Sequence, residues 1–322
     1  METNPLNNNL IASQASEGVY QCHRFSHAAM ATIFEIYIHH PDPVYAQQAA
    51  GAAFERLDRL EQDLSRFIEG SDIARINNLL PNQSLVVGLY AFQCLQISIA
   101  VYDETFGAFD ISFGSILHNQ TESIPTLEDY DLANKRSGIQ SLTFDERNRA
   151  VTLKEGRVQI DLGGMGKGYA LDQMAAVLRE WEVETALLHG GWSTALALQA
   201  PSGTEGWPIT ISEPESKGRI LNRYTLKHRA FSGSGIRKGF HIVDPRTSKP
   251  VTKRRAAWAG ADTGARADAL STAFMVMTFE EVKRFCIQSE DTQIAILDDD
   301  FSNRLWEYPG VRKSDDLGKA RL

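Results

Sequence analysis

Met30 to Ile38 reads MATIFEIYI, and its β-branched and aromatic side chains predict a strand closed by His39, His40 and Pro41. Beyond it, Ala53, Phe54, Leu57, Leu60, Leu64 and Phe67 recur at steps of three and four residues, the apolar face of a long helix. Gly70-Ser71-Asp72 stops that helix and caps a short turn over Ile73 to Asn77, and Tyr90 to Tyr102 restores the helical period until Gly107. The stretch from Thr121 to Gly138 is mixed and polar, a connecting excursion.

Leu142 to Leu153 reads as two alternating strands around a polar turn, and Val158 to Leu162 as a third strand running into Gly163-Gly-Met-Gly-Lys-Gly168. A helix over Gly168 to Glu180 follows, with Leu171, Met174, Ala175 and Leu178 on one face. Apolar runs at Thr185 to Leu188, Ala195 to Leu198, Ile209 to Ile211 and Ile220 to Leu226 make the next part β-rich. Helices over Ala267 to Thr278 and Glu280 to Gln288 and a strand over Thr292 to Leu297 complete the pattern, with a charged tail after Tyr308.

Composition changes this picture mainly by exclusion. With 33 Lys and Arg against 41 Asp and Glu the net charge is −8, and no basic run is interleaved with aromatics, which argues against nucleic acid as a partner. An anionic ligand therefore needs a local cation, either a metal or a placed Lys or Arg. Cys22, Cys94 and Cys286 are too scattered for a zinc or redox motif. The polar first residues carry no signal-peptide pattern or lipobox, and no apolar run approaches a bilayer span, so the expectation is a cytoplasmic or otherwise soluble protein without direct membrane insertion.

Three constellations could carry chemistry. Asp161-Leu-Gly-Gly-Met-Gly-Lys-Gly-Tyr169 places glycines between a strand and a helix start whose free amides favour phosphate, but it fits neither a Walker A loop nor GxGxxG. A plain tight turn explains it equally well. Asp268 and Thr272 lie one helical turn apart and offer two oxygen ligands suited to Mg²⁺, though either residue can be purely structural. Ser232-Gly-Ser-Gly235, followed by His241-Ile-Val-Asp244-Pro-Arg246-Thr247, is either a proline turn or a proton acceptor beside a phosphate-binding cation.

Taken in order, these pieces resemble the ApbE family of FAD:protein FMN transferases. The resemblance rests on Met30-Ala-Thr32, Leu64-Ser-Arg-Phe67 with Ser71-Asp-Ile73, Phe109 to Gly114, Asp161 to Asp172, Gly190-Gly191, His241 to Thr247 and Ala267 to Ala273, and runs from about residue 28 to 300. It implies an α+β fold of mixed, largely antiparallel sheets with packed helices, two closely joined lobes around an FAD cleft. The flavin transferase domain would span 25–308, between a polar tail over 1–24 and a C-terminal tail over 309–322.

For the chemistry, the resemblance implies Mg²⁺ or Mn²⁺ held by Asp268, Thr272 and the backbone carbonyl of Gly164, against the pyrophosphate of FAD as substrate. His241 is the implied base for a threonine or serine hydroxyl of an acceptor protein, which takes FMN while AMP leaves. Met30, Phe67, Ala108, Phe109, Asp110, Lys167, Ile242 and Arg246 would line the FAD site. The chain departs from the family pattern at Ala31 and Ser248, where glycine is usual, at Phe67, where tyrosine is, and at Trp192, where Asp or Asn is common. A hydrolase yielding FMN and AMP, or an FAD-binding module without turnover, remain alternatives on sequence grounds.

Overall fold

The computed structural model describes residues 21–112, 138–214, 219–236, 242–289, 291–298 and 305–308. His241, residues 121–137 of the excursion read from Thr121 to Gly138, and the C-terminal tail lie outside these residues.

The chain opens on a hairpin, β1 (Gln21–Ala29) and β2 (Thr32–His40), whose register pairs Ala29 with Thr32 and leaves Met30 and Ala31 as a two-residue turn. Both turn residues have positive φ, 49° and 55°, which matches the twist of paired strands at some backbone cost. Gln21 to Arg24, read from sequence as tail, pair with His40 to Tyr37.

Asp42 caps α1 (Pro43–Leu64) by accepting the amides of Val44 and Tyr45, and Ala46, Ala49, Ala53, Leu57 and Leu60 form its buried face. Ser65 ends this helix, so Phe67 lies past it and is 79% exposed rather than on the apolar face where periodicity put it. Ser71 caps α2 (Asp72–Asn77), as its sequence context predicts. α3 (Leu89–Glu104) follows the short β3 (Ser84–Val86), which joins β4 (Leu142–Asp145) and β5 (Ala150–Leu153) in a small sheet of order β3-β5-β4.

Val158 to Leu162 does not form the expected third strand. The amide of Ile160 donates to the Asn77 side chain and that of Asp161 to the Ile111 carbonyl, so the segment is held by two separate elements. It then enters a 3₁₀ turn over Leu162–Gly164, capped by Asp161, and α4 (Gly166–Glu180).

The remaining strands are β6 (Ala186–Gly190), β7 (Thr194–Ala197), β8 (Trp207–Ser212), β9 (Ile220–Leu226), β10 (Arg229–Gly235), β11 (Val243–Asp244), β12 (Lys249–Pro250), β13 (Arg254–Ala261), β14 (Gln293–Asp298) and β15 (Leu305–Tyr308). Between β13 and β14 run α5 (Gly264–Val276) and α6 (Phe279–Gln288). Eight strands form one antiparallel sheet of order β1-β2-β6-β7-β10-β13-β14-β15.

Two apolar cores flank that sheet. Phe34, Ile36, Leu188, Ala257 and Ala259 pack with the helices, whereas Leu187, Ala195, Phe231, Ala256 and Trp258 pack with Trp207, Ile211 and Leu226 of the β8–β9 hairpin. A fully buried Leu, Ile or Phe is worth about 1.5–3 kcal/mol, so the sheet and its two covers supply the main stabilisation. The architecture is the expected α+β. Among the described residues no helix is long and apolar enough to cross a membrane.

Candidate metal and nucleotide site

α4 and α5 meet at their first turns with almost no separation. A Cβ on Gly168 would overlap the Gly264 carbonyl, and one on Gly264 would overlap that of Gly168, so only glycine permits this crossing. Asp172, one turn further along α4, accepts the amides of Gly264 at 2.6 Å and Ala265 at 2.8 Å and so fixes the start of α5. Burial pushes its carboxyl up to about 6, against the pull of those two amides.

This crossing sets Asp268, one turn into α5, against the glycine loop. Asp268 is 3% exposed; its Oδ2 accepts the Gly168 amide at 3.2 Å and lies 3.5 Å from the Lys167 ammonium. Its Oδ1 accepts the Ser232 hydroxyl at 2.9 Å, with Thr194 Oγ1 at 3.4 Å. Thr272 follows on the same face, and a Cβ on Gly164 would stand 3.4 Å from its Oγ1. Asp268, Thr272 and Gly164 are therefore brought together where the glycine loop meets α5.

The donor set fits a hard divalent ion that shares phosphate oxygens. It brings one carboxylate and one hydroxyl together beside glycine-loop backbone, and the bare Cα of Gly164 leaves open the space beside Thr272 that a side chain would fill. Among the described residues no three His, Cys, Asp or Glu side chains gather, so a cage made wholly of such ligands is absent there.

The expected FAD-lining residues distribute around this centre. Phe109 is buried, and its ring stands 3.2 Å from where a Gly164 Cβ would be; Ala108 beside it is buried too. Asp110 turns back on its own loop, accepting the Ser112 amide at 2.8 Å and hydroxyl at 2.6 Å, while burial raises its carboxyl above the usual range. Phe67 lies under the Arg66 guanidinium at 4.2 Å, and Arg66 reaches Asp161 at 3.1 Å, which ties Phe67 to the residue opening the glycine loop. Met30, in the β1–β2 turn, gives its amide to Glu61 at 2.9 Å. The adjoining β6–β7 turn packs Gly190 near Lys167 and Gly191 against Thr32.

Beyond His241, Ile242 is buried, and its carbonyl accepts the Val251 amide. Arg246, read from sequence as a phosphate-binding cation, is matched already: it spans both oxygens of Asp244 at 2.9 Å and reaches Glu281 at 2.6 Å. Those partners hold it firmly protonated and brace the turn against α6.

Sequence reasoning missed Thr194 and gave Ser232 and Ser234 no partner. Thr194 and Ser232 are register partners across β7 and β10, a pairing that no local signal announces. A separate cavity of about 410 Å³, lined by Gln93, Gln96, Tyr169, Asp172, Gln173 and Thr263 among others, shares no residue with the Asp268 set.

Relatives share this plan. The FAD:protein FMN transferase of Vibrio cholerae is 23% identical over 288 residues, covering 83% of this chain and 84% of that one. That of Escherichia coli K12 is 25% identical over 250 residues, 71% of this chain and 70% of its own. The ApbE protein of Thermotoga maritima superposes with a TM-score of 0.79 at 25% identity, over 89% of this chain and 96% of that one. Flavin transferase ApbE of Vibrio cholerae gives 0.78 at 20% identity, over 90% and 97%. The ApbE family model matches residues 30–297, which takes in the β1–β2 turn, the glycine loop, the Asp268 helix and the strands that support it, and the chain belongs to that family.

Proposed function

We propose that this chain is a divalent-metal-dependent FAD:protein FMN transferase, which breaks the pyrophosphate of FAD and joins FMN through its phosphate to a threonine or serine hydroxyl of an acceptor protein. The observation that carries this reading is the convergence of Asp268, Thr272 and Gly164 at the α4–α5 crossing.

Mg²⁺ or Mn²⁺ held by Asp268, Thr272 and the Gly164 carbonyl would supply charge neutralisation for the pyrophosphate and the departing phosphate. Lys167, beside the same carboxylate, adds a second cation to a chain that is otherwise acidic. Phe67 and Met30 offer apolar surface for the flavin, with stacking at Phe67 retained and the tyrosine hydroxyl lost. The acceptor oxygen bonds to the FMN phosphorus, the bond from that phosphorus to the bridging oxygen breaks, and AMP leaves with the electron pair. His241 is assigned to take the hydroxyl proton.

Incubation with FAD, Mg²⁺ and a flavin-acceptor domain should yield an acceptor heavier by one FMN, together with free AMP. Asp268→Ala should abolish both, and His241→Ala should slow turnover by roughly 10²–10⁴-fold. An acceptor of unchanged mass defeats the transferase reading; AMP released at a rate the acceptor does not alter would mark a hydrolase.

A further inference from the structure

We propose that Ser232 and Ser234 are positioning residues for the metal-binding pair, Ser232 through the carboxylate of Asp268 and Ser234 through the hydroxyl of Thr272. The inference rests on the metal-dependent reading above and adds to it the element that holds the ligands in place.

Residues two apart on a strand lie on one face, about 6.6 Å from one another. Residues four apart on a helix also share a face, displaced by about 6 Å along its axis. A strand running beside a helix can therefore match two such pairs side by side. β10 packs against α5, and its Ser232 and Ser234 meet Asp268 and Thr272 in that order. In Ser232-Gly-Ser-Gly235 the bare Gly233 makes room for the Trp258 ring, and the serines on either side of it are a pair of hydroxyls set to the period of the helix opposite.

Proton accounting gives each hydroxyl a direction. Ser232 donates to Asp268 Oδ1 at 2.9 Å, so its own oxygen is left to accept Thr194 at 2.9 Å. Thr194 is buried and has no closer acceptor among the bonds it makes, which makes Thr194 to Ser232 to Asp268 a directed relay of donors. Oδ2 is fixed separately by the Gly168 amide at 3.2 Å. Both oxygens of the carboxylate thus have fixed donors, and its rotation is constrained before any ligand arrives.

Around Thr272 the hydroxyls are arranged in a complementary way. Its hydroxyl has two acceptors on the protein, the Asp268 carbonyl at 3.3 Å and Ser234 Oγ at 3.2 Å. Ser234 in turn lies 2.8 Å from Ser271, whose hydroxyl is committed to the Asp268 carbonyl at 2.9 Å. The Thr272 proton is therefore taken up inside the protein, and an oxygen lone pair is left to face an ion. Groups that orient metal ligands in this way typically change affinity by about 10–100-fold when removed.

The test measures Mn²⁺ binding to the full chain without FAD, by electron paramagnetic resonance, alongside thermal denaturation. Ser232→Ala should weaken Mn²⁺ binding about tenfold or more, and Ser234→Ala in the same direction, beyond what any change in Tm accounts for. Ser232→Thr, which keeps the hydroxyl, should restore most of the affinity. In turnover, the metal concentration for half-maximal AMP release should rise by a larger factor than turnover at saturating metal falls. If Ser232→Ala does not fold, Thr194→Val and Ser234→Ala carry the same expectation. Variants that bind Mn²⁺ as the parent does, or a threonine replacement that rescues nothing, overturn the positioning role. A parent protein that binds no Mn²⁺ overturns instead the metal assignment beneath it.

Discussion

Ser248 holds φ at 56° with its hydroxyl buried and, among the described residues, without a hydrogen-bond partner. Ala31 sits in the same left-handed region at 55°. Both are positions where the resemblance implies glycine, and the backbone gives a physical reason: a side chain there costs about 1–2 kcal/mol of local strain. Glycine would return part of that to conformational freedom of the unfolded chain. Ser248→Gly, which also removes an unmatched hydroxyl, should stabilise the protein by about 1–2 kcal/mol, and Ala31→Gly by about 0.5–1 kcal/mol. Urea unfolding with an unchanged m-value checks both, and a loss of stability in Ser248→Gly would count against strain at that turn.

At the scale of elements, the site depends on how closely α4 and α5 cross. Gly264→Ala must push a Cβ into the Gly168 carbonyl, so the helices have to separate. We expect it to destabilise the chain by about 2–3 kcal/mol and to weaken divalent-metal binding in whatever folds, since Asp268 rides on the displaced helix. Calorimetry and a Mn²⁺ titration on the same sample read the two effects; a variant as stable as the parent would show that the crossing has slack.

The elements also divide by how visible they were in the sequence. The glycine loop, α5 and the Ser71 cap were legible because their signals are local: spacing, glycine clustering and a capping residue. β13 was not seen, although every one of its residues is buried in the middle of the sheet. Its Arg-Arg-Ala-Ala-Trp-Ala-Gly-Ala lacks alternation because both faces are covered, and alanine carries little strand signal. Val158 to Leu162 misled in the opposite sense, being apolar like a strand yet held by Asn77 and Ile111, partners that no window around it contains. Phe67 kept the helical period after Ser65 had ended the helix.

Across the whole molecule, Asp172 links the packing of the helices to pH. Its folded carboxyl titrates at about 6, above the 3.8 of an exposed aspartate, because it is buried. A raised carboxyl pKa favours the folded state below about 3.8, and that contribution is lost as pH climbs through about 6. The loss is on the order of 2–3 kcal/mol. Asp172→Asn cannot titrate, so the parent's stability relative to this variant should fall between pH 4 and 7, read as urea midpoints at each pH. A difference that stays flat across that range would mean that burial does not govern this carboxyl.

The bond from the Gly168 amide to Asp268 joins residues 100 positions apart in the chain. Closing a loop of that size costs roughly 4 kcal/mol in chain entropy, far more than one such bond returns. The closure is therefore made by the strands and helices between them, and the ligand geometry arrives only with the completed topology. It follows that a chelator should strip a divalent ion held as proposed without unfolding the protein, and that a half-folded chain, whatever its local helices, has no place to hold one.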